Sequence, residues 1–218
     1  MKIEGFPYEA SVCGEDRAAI SEQDGGYVPL AHGEKYYIKL QNHGPQRALV
    51  EVMADGVPLG KWVIPAGFDG STLIERPQDQ ARRLTFFQEG SSEAKAALLD
   101  TVSEQNLGLL QFTFTRERPP RPVSHGFFLS RSGGESFGSP AKGLDKSPTR
   151  GFSAGGTGLT EQSAQVFGRT TFNPDPDFDP VVISLRLVCD PERQISAEVT
   201  PLTGHRPRAN EIPAPIRK

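Results

Sequence analysis

One stretch of this chain has the residue pattern that surrounds a catalytic serine. Residues 151–155 match the G-x-S-x-G pattern of serine hydrolases, with Ser153 at the centre. That chemistry requires the serine on a sharp turn between a strand and a helix, where backbone amides form an oxyanion hole. Residues 146–150 are not strand-like, the glycine-rich residues 155–158 do not begin a helix, and the only histidine downstream is His205. We interpret the match as a product of local composition and keep a serine hydrolase that uses Ser153 as an alternative.

Three carboxylates alternate along the chain just before a predicted strand. Asp175, Asp177 and Asp179 have the spacing with which a calcium-binding loop begins. Such a loop also needs a glycine at its sixth position and a glutamate at its twelfth, and Pro180 and Arg186 stand there instead. The favoured interpretation is an acidic turn stiffened by proline, with these three aspartates as the best metal candidates. The four histidines are far apart in predicted loops, so no other metal site and no cofactor is expected.

Apolar side chains are spaced along a region that is otherwise rich in small and rigid residues. Residues 116–180 contain ten Gly, eight Pro and eight Ser, a composition that cannot offset its own ordering entropy by burying apolar surface. The spaced apolar residues are Phe127, Phe128, Leu129, Phe137, Leu144, Phe152, Leu159, Phe167 and Phe172. We expect such residues to dock into grooves of this chain or of a neighbour, and we predict Phe127, Phe128, Phe137 and Phe152 as partner-binding residues.

Charge and composition disfavour several classes of partner. The chain of 218 residues has a net charge of −3, whereas nucleic-acid-binding proteins usually carry a basic patch or stripe. No segment approaches the ~18 consecutive apolar residues of a membrane span. The N-terminus lacks the apolar core of a signal peptide, so we expect synthesis in a cytoplasm. Cys13 and Cys189 are then expected to be reduced core thiols, with a disulfide between them as the alternative.

The elements that would position these residues are mainly strands. Apolar and polar residues alternate between residues 36 and 115, as in half-buried strands. Asp55-Gly56 suits the positive φ angles of a type I′ turn, so residues 47–54 and 57–64 are predicted to pair as a hairpin. Residues 91–99 carry the one good helix signal, since serine can cap a helix and alanine and leucine favour it.

The aromatic residues of these early strands have two interpretations. Trp62 is the only tryptophan, and we predict that it anchors the core. The alternative is a stacking platform for a sugar or another ligand, formed by Trp62 with Tyr36 or Tyr37. Burial of Trp62 distinguishes the two, because a platform must be accessible.

The strongest strand comes late in the chain, at residues 181–189, and must complete a sheet built from earlier residues. The predicted fold class is therefore all-β: a single antiparallel β-sandwich of jelly-roll type with one short helix. Residues 1–115 and 181–199 are assigned to the sandwich core. Residues 116–180 form a long Gly/Pro/Ser-rich insertion or arm, and residues 200–218 form an extended, proline-rich C-terminal tail.

The function that fits this pattern best is non-enzymatic. A β-sandwich without a leader, with long arms and scattered aromatic anchors, is typical of a structural protein of an assembled particle. We expect a virion component of a virus or phage, such as a minor capsid, decoration or tail protein, with other protein chains as its oligomeric partners. A carbohydrate- or ligand-binding sandwich domain is the first alternative, and the hydrolase is the second.

Overall fold

The computed structural model describes residues 1–2, 5–23, 25–67, 71–119 and 152–193. This part of the chain is all-β with very little helix. Its strands are β1 Tyr8–Cys13, β2 Tyr27–Leu30, β3 Tyr37–Asn42, β4 Ala48–Ala54, β5 Val57–Ile64, β6 Ser71–Ile74, β7 Arg82–Gln88, β8 Leu109–Arg116, β9 Gly155–Gln162 and β10 Val181–Cys189. One short helix, α1 Ser92–Ala96, and a 3₁₀ turn, Leu99–Thr101, lie between β7 and β8.

The largest sheet has five strands in the order β2-β10-β8-β4-β5. The turn between β4 and β5 has φ angles of 54° at Asp55 and 80° at Gly56, the left-handed values that a type I′ turn requires. The predicted hairpin is therefore confirmed. The predicted late strand is confirmed as well, because β10 pairs with β8 in an antiparallel register that places Ile183 opposite Phe112.

Two smaller sheets complete the described fold. One has the order β1-β3-β6 and is antiparallel throughout. The other is the antiparallel pair β7-β9. Backbone hydrogen bonds join β7 to the segment before β3: Tyr36 N donates to Leu84 O at 3.2 Å, and Phe86 N donates to Glu34 O at 2.9 Å.

A single large hydrophobic cluster takes residues from all three sheets. Its fully buried members include Ile38 of β3, Ile64 of β5, Leu84 of β7, Phe112 of β8 and Ile183 of β10. Strands from the early and the late part of the chain thus contribute to one hydrophobic cluster.

One strand pair corrects the predicted topology. β2 lies within residues 14–34, which the sequence analysis does not assign to any strand, and it pairs with β10 in parallel. The prediction of a purely antiparallel arrangement is therefore wrong at this edge, and the five-stranded sheet is mixed. Pro29 in the middle of β2 hides the strand from sequence-based reasoning, and an edge strand tolerates proline because one of its sides needs no backbone donor.

β9 is the second strand that the sequence does not reveal, since it lies inside the predicted insertion and begins with three glycines in four residues. The glycines are a packing requirement. A Cβ atom at Gly155 would lie 2.3 Å from Cζ of Phe86, and one at Gly158 would lie 2.4 Å from Cε2 of Phe87. The missing side chains let β9 lie directly against the two phenylalanine rings.

The predicted helix is present but shorter than its signal. Ser91 caps it, with its Oγ accepting a hydrogen bond from Ala94 N at 3.0 Å. Leu98 adopts a left-handed conformation with φ of 59°, and this residue separates α1 from the 3₁₀ turn. Ala94 and Leu99 pack with Phe87 in a second, small hydrophobic cluster. None of the helices in the described ranges has the length and apolar content needed to cross a membrane.

Candidate functional site

Ser153 lies beside residues that sequence reasoning did not connect with it. Its backbone pairs with Cys189 at the end of β10, and its Oγ accepts a hydrogen bond from Gln88 Nε2 at 3.1 Å. Gln88 also contacts His32, since Gln88 N donates a hydrogen bond to His32 Nδ1 at 3.2 Å. The other ring nitrogen, Nε2, lies 3.7 Å from the carboxylate of Glu93. Both nitrogens of His32 thus face other groups, and this arrangement provides no general base for Ser153.

The backbone around Ser153 also differs from that of a nucleophile elbow. The residue is followed by strand β9 rather than by a helix, so helix-terminal amides do not form an oxyanion hole there. His205, the downstream histidine of the sequence pattern, lies outside the described residues. No signal in the sequence links His32 to Ser153, since they are brought together only by β7 and β10.

The two cysteines are buried, unbonded thiols in different sheets. Burial raises the pKa of the Cys13 thiol and of the Cys189 thiol, so both are held in the unreactive, protonated form. The prediction of reduced core thiols is confirmed.

Asp175 forms an ion pair with Arg116 of the same chain. Its Oδ2 accepts hydrogen bonds from Arg116 at 2.7 Å and 3.2 Å, and its Oδ1 accepts one from Asp177 N at 3.2 Å. The guanidinium of Arg116 holds the pKa of this carboxyl below its usual value and also stacks on Phe178, 3.1 Å from the ring centre. Asp177 and Asp179 are exposed. Within the described ranges, no group of three or more His, Cys, Asp or Glu residues could hold a metal ion.

The aromatic residues proposed as a ligand platform are covered by the chain itself. Trp62 is only 6% exposed, which confirms it as a core anchor. Phe167 packs edge-on against it with ring centres 5.8 Å apart, and Arg76 lies 4.4 Å above the Phe167 ring. Tyr36 is also buried, and its hydroxyl lies 2.6 Å from Thr157 Oγ1. Tyr37 is buried as well and is hydrogen-bonded by an arginine of β7.

A shallow polar cleft does not replace this platform. It has a volume of about 420 Å³ and is lined by Gln80, Ala81, Arg82, Thr160 and Gln162. The lining includes neither an aromatic ring for stacking nor a carboxylate for acid–base chemistry.

The extended segment 163–178 is here called the strap. Hydrogen bonds from arginine side chains hold the strap against the sheets. Arg76 donates to Gln165 O at 2.6 Å and 2.9 Å. Arg47 donates to Thr171 O at 3.1 Å. Together with Arg116–Asp175, these contacts dock the second half of the predicted arm on its own chain.

Most of the predicted partner-binding residues lie outside the part of the chain that the structure describes. Phe127, Phe128 and Phe137 lie outside the described residues. Phe152 is described and half-buried, directly before the residue that pairs with β10. Phe167, which the sequence analysis groups with these anchors, docks on Trp62 of the same chain.

The face of the five-stranded sheet that points away from the core is the strongest candidate for function. Along β4, β5, β8 and β10, core residues alternate with residues of this outer face, and the strand register places the latter side by side. The outer face consists of Leu49, Glu51, Met53, Lys61, Val63, Leu109, Gln111, Thr113, Thr115, Val182, Ser184 and Arg186.

The outer face has an unusual composition for a side of a sheet that points to water. Five of its residues are large and apolar, and Val182 is 50% exposed. Its charged members are Glu51 and Lys61, which form an ion pair with each other, and Arg186, whose guanidinium donates to backbone carbonyls of residues 104–107. None of its apolar residues belongs to either hydrophobic cluster of the described chain. Solvated sheet faces are normally polar, so this face has the chemistry of a surface that packs against something.

Comparison of the chain with protein-family models, with curated proteins and with solved structures finds no match.

Proposed function

We propose that this chain is a non-enzymatic structural protein that packs against other protein chains in an assembled particle, such as a virion. We also propose that its two larger sheets face each other as a sandwich of jelly-roll type. The hydrophobic cluster shared by both sheets supports this arrangement. In a sandwich each sheet keeps one side away from the shared core, and that side can pack against another chain.

The observation that carries the proposal is the outer face. An exposed apolar patch on a soluble domain marks a site of interaction, because leaving it in water forgoes about 25 cal/mol for each Å² of apolar area. Val182 is the exposed apolar residue of this face, and Leu49, Met53 and Val63 are half-buried beside it on neighbouring strands and pack into neither core cluster. Burial against another protein would recover that free energy.

The internal use of the chemically active groups supports the same proposal. Within the described ranges, His32 lies near Ser153 but is engaged at both nitrogens. Asp175 neutralises Arg116. Trp62 is covered by Phe167. The described contacts therefore give no support to the hydrolase and ligand-binding alternatives, and the interaction proposal depends on none of these residues.

Sedimentation of the tagged full-length chain from its native source, under non-denaturing conditions, tests the proposal. We expect the chain in a fast-sedimenting particle of regular appearance in negative-stain electron micrographs. Recovery solely as a slowly sedimenting chain of 23.7 kDa would contradict the proposal. A parallel assay on ester substrates, with Ser153→Ala as control, is expected to find no activity that depends on Ser153.

A further inference from the structure

We propose that Asp55 is a proton-controlled latch for β9, so that β9 separates from the β4–β5 hairpin more readily in neutral than in acidic solution. The Asp55 carboxylate lies in the hairpin turn, and its oxygens accept hydrogen bonds from Gly108 N at 2.6 Å and from Thr157 N of β9 at 2.7 Å. The second of these bonds ties β9 to the five-stranded sheet. The latch is independent of the proposed function, because it requires no second chain.

The carboxylate of the latch is buried among neutral hydrogen-bond donors. Asp55 is 7% exposed, and the donors to its oxygens are backbone amides. A carboxylate in such a place loses hydration when it ionises, and neutral donors compensate this loss less well than a bonded cation does. Ionisation of Asp55 therefore favours any conformation that brings water to the carboxylate.

The titratable groups that act on Asp55 do not cancel this effect. Arg186 of β10 attracts the charge from a distance, but its guanidinium donates to the carbonyl oxygens of Glu104, Gln105 and Leu107. Tyr36, just before β3, places its hydroxyl 2.6 Å from Thr157 Oγ1, and burial raises its pKa, so that it stays neutral.

The other neighbours of the carboxylate are apolar. A Cβ atom at Gly156 of β9 would lie 3.1 Å from Asp55 Oδ1 and 3.0 Å from side-chain carbons of both Leu99 and Leu107. These two leucines belong to the small hydrophobic cluster around Phe87. They keep water away from the carboxylate as long as β9 is in place.

β9 is the wall of this site that opens most easily. Three of its first four residues are glycines, and its one apolar side chain, Leu159, is half-buried. β4, in contrast, pairs with a strand on each side and contributes buried valines to the large cluster. Segments with few buried apolar contacts open at the lowest cost in free energy. Opening of β9 would hydrate Asp55 and uncover the rings of Phe86 and Phe87, against which its glycines lie.

The sign of the pH dependence follows from the two titrations of Asp55. With β9 in place, burial raises the pKa of the carboxyl to about 6, whereas a hydrated aspartate has a pKa of ~3.9. Below pH ~4 the carboxyl is protonated in both conformations, and the closed one has its full advantage. Between these values only the closed conformation keeps the proton, so the equilibrium constant for opening rises about tenfold for each pH unit, to a total of about 100-fold by pH 7.

Amide hydrogen exchange of the full-length chain measures this opening. The protection factor of the Thr157 amide, after correction for the intrinsic exchange rate, is expected to fall about 100-fold from pH 4 to pH 7. Low concentrations of urea should leave it unchanged, since a local opening exposes little surface. The Val50 amide of β4 should be more strongly protected at every pH. A Thr157 protection factor that does not vary with pH, or that equals that of Val50 throughout, would overturn the latch.

A titration of the wild-type chain gives a second readout that needs no variant. The carbon NMR shift of the Asp55 carboxyl should change with a midpoint near pH 6, where the rise of the opening constant levels off. A midpoint below about 4.5 would mean that ionisation costs little in the closed conformation, and the latch would then be wrong.

A matched pair of variants assigns the pH dependence to one carboxyl. Asp55→Asn removes the titrating group, and its Thr157 protection factor should be the same from pH 4 to pH 7. Asp100→Asn makes the same change at an exposed carboxyl of the 3₁₀ turn and should keep the wild-type dependence. If the dependence persists in Asp55→Asn or disappears in Asp100→Asn, another group controls β9 and the inference fails.

Discussion

Asp55 joins three separate parts of the chain through one buried carboxylate. It occupies the hairpin turn between β4 and β5, and its oxygens accept hydrogen bonds from Gly108 N at 2.6 Å and from Thr157 N at 2.7 Å. The residue is 7% exposed. Burial raises its pKa to about 6, and the two backbone amides oppose that rise.

The raised pKa of Asp55 predicts how stability depends on pH. Between pH ~4 and ~6 the folded chain holds the proton more tightly than the unfolded chain, so the free energy of unfolding falls as the pH rises through this window. Across this window, the titration of Asp55 lowers the free energy of unfolding by on the order of 3 kcal/mol. Asp55→Asn does not titrate at this position. We expect the difference between the wild-type and Asp55→Asn free energies of unfolding to decrease from pH 4 to pH 7, as measured by urea denaturation. A difference that is the same at all pH values would show that the carboxyl titrates normally.

Trp62 provides a probe of the strap, because it is the only tryptophan and Phe167 covers it. Phe167→Ala removes a half-buried ring and should lower the free energy of unfolding by about 2 kcal/mol. Its tryptophan fluorescence should shift to longer wavelength as water reaches the indole. Val166→Ala, one residue away and exposed, is the control that should change neither quantity. An unchanged emission maximum in Phe167→Ala would mean that the strap does not protect Trp62.

At the scale of elements, the sequence identifies strands where side chains alternate and misses them where backbone fit matters more. The hairpin around Asp55-Gly56 is predictable because turn residues and alternation agree. β2 and β9 are not, since Pro29 and the glycines of β9 read as loop signals. Their strand conformation depends on tertiary contacts: β2 is ordered by pairing with β10, and β9 by the rings of Phe86 and Phe87.

The packing of β9 predicts a large effect of one methyl group. Gly155→Ala would bring a Cβ within 2.6 Å of Phe87 O and still closer to the Phe86 ring. Either β9 separates from β7 or the ring moves within the core, and we expect a loss of about 2 kcal/mol or more in the free energy of unfolding. Gly168→Ala, on the strap, meets no atom within 4 Å and should change this free energy by less than ~0.5 kcal/mol. Chemical denaturation of both variants gives the comparison, and equal stabilities would refute the packing argument.

At the scale of the whole molecule, the feature that best supports a function is a surface, the outer face, rather than a sequence motif. The sequence correctly indicates that no helix follows Ser153 and that Trp62 belongs to the core. The sequence does not reveal the outer face, because the residues that share this face are determined by which strands are neighbours and by their register. Leu49, Val63 and Thr115 are distant along the chain, and pairing of β4 with β5 and β8 makes them adjacent.

The central claim is that another protein covers the outer face in the assembled state, and thiol labelling tests it most directly. Cys13 and Cys189 are buried, so an introduced cysteine is the accessible thiol of the described chain. Val182→Cys should react rapidly with a maleimide in the dilute, isolated chain and at least about tenfold more slowly in the assembled state. Val166→Cys should react at the same rate in both. Equal rates for Val182→Cys in the isolated and assembled states would contradict the account.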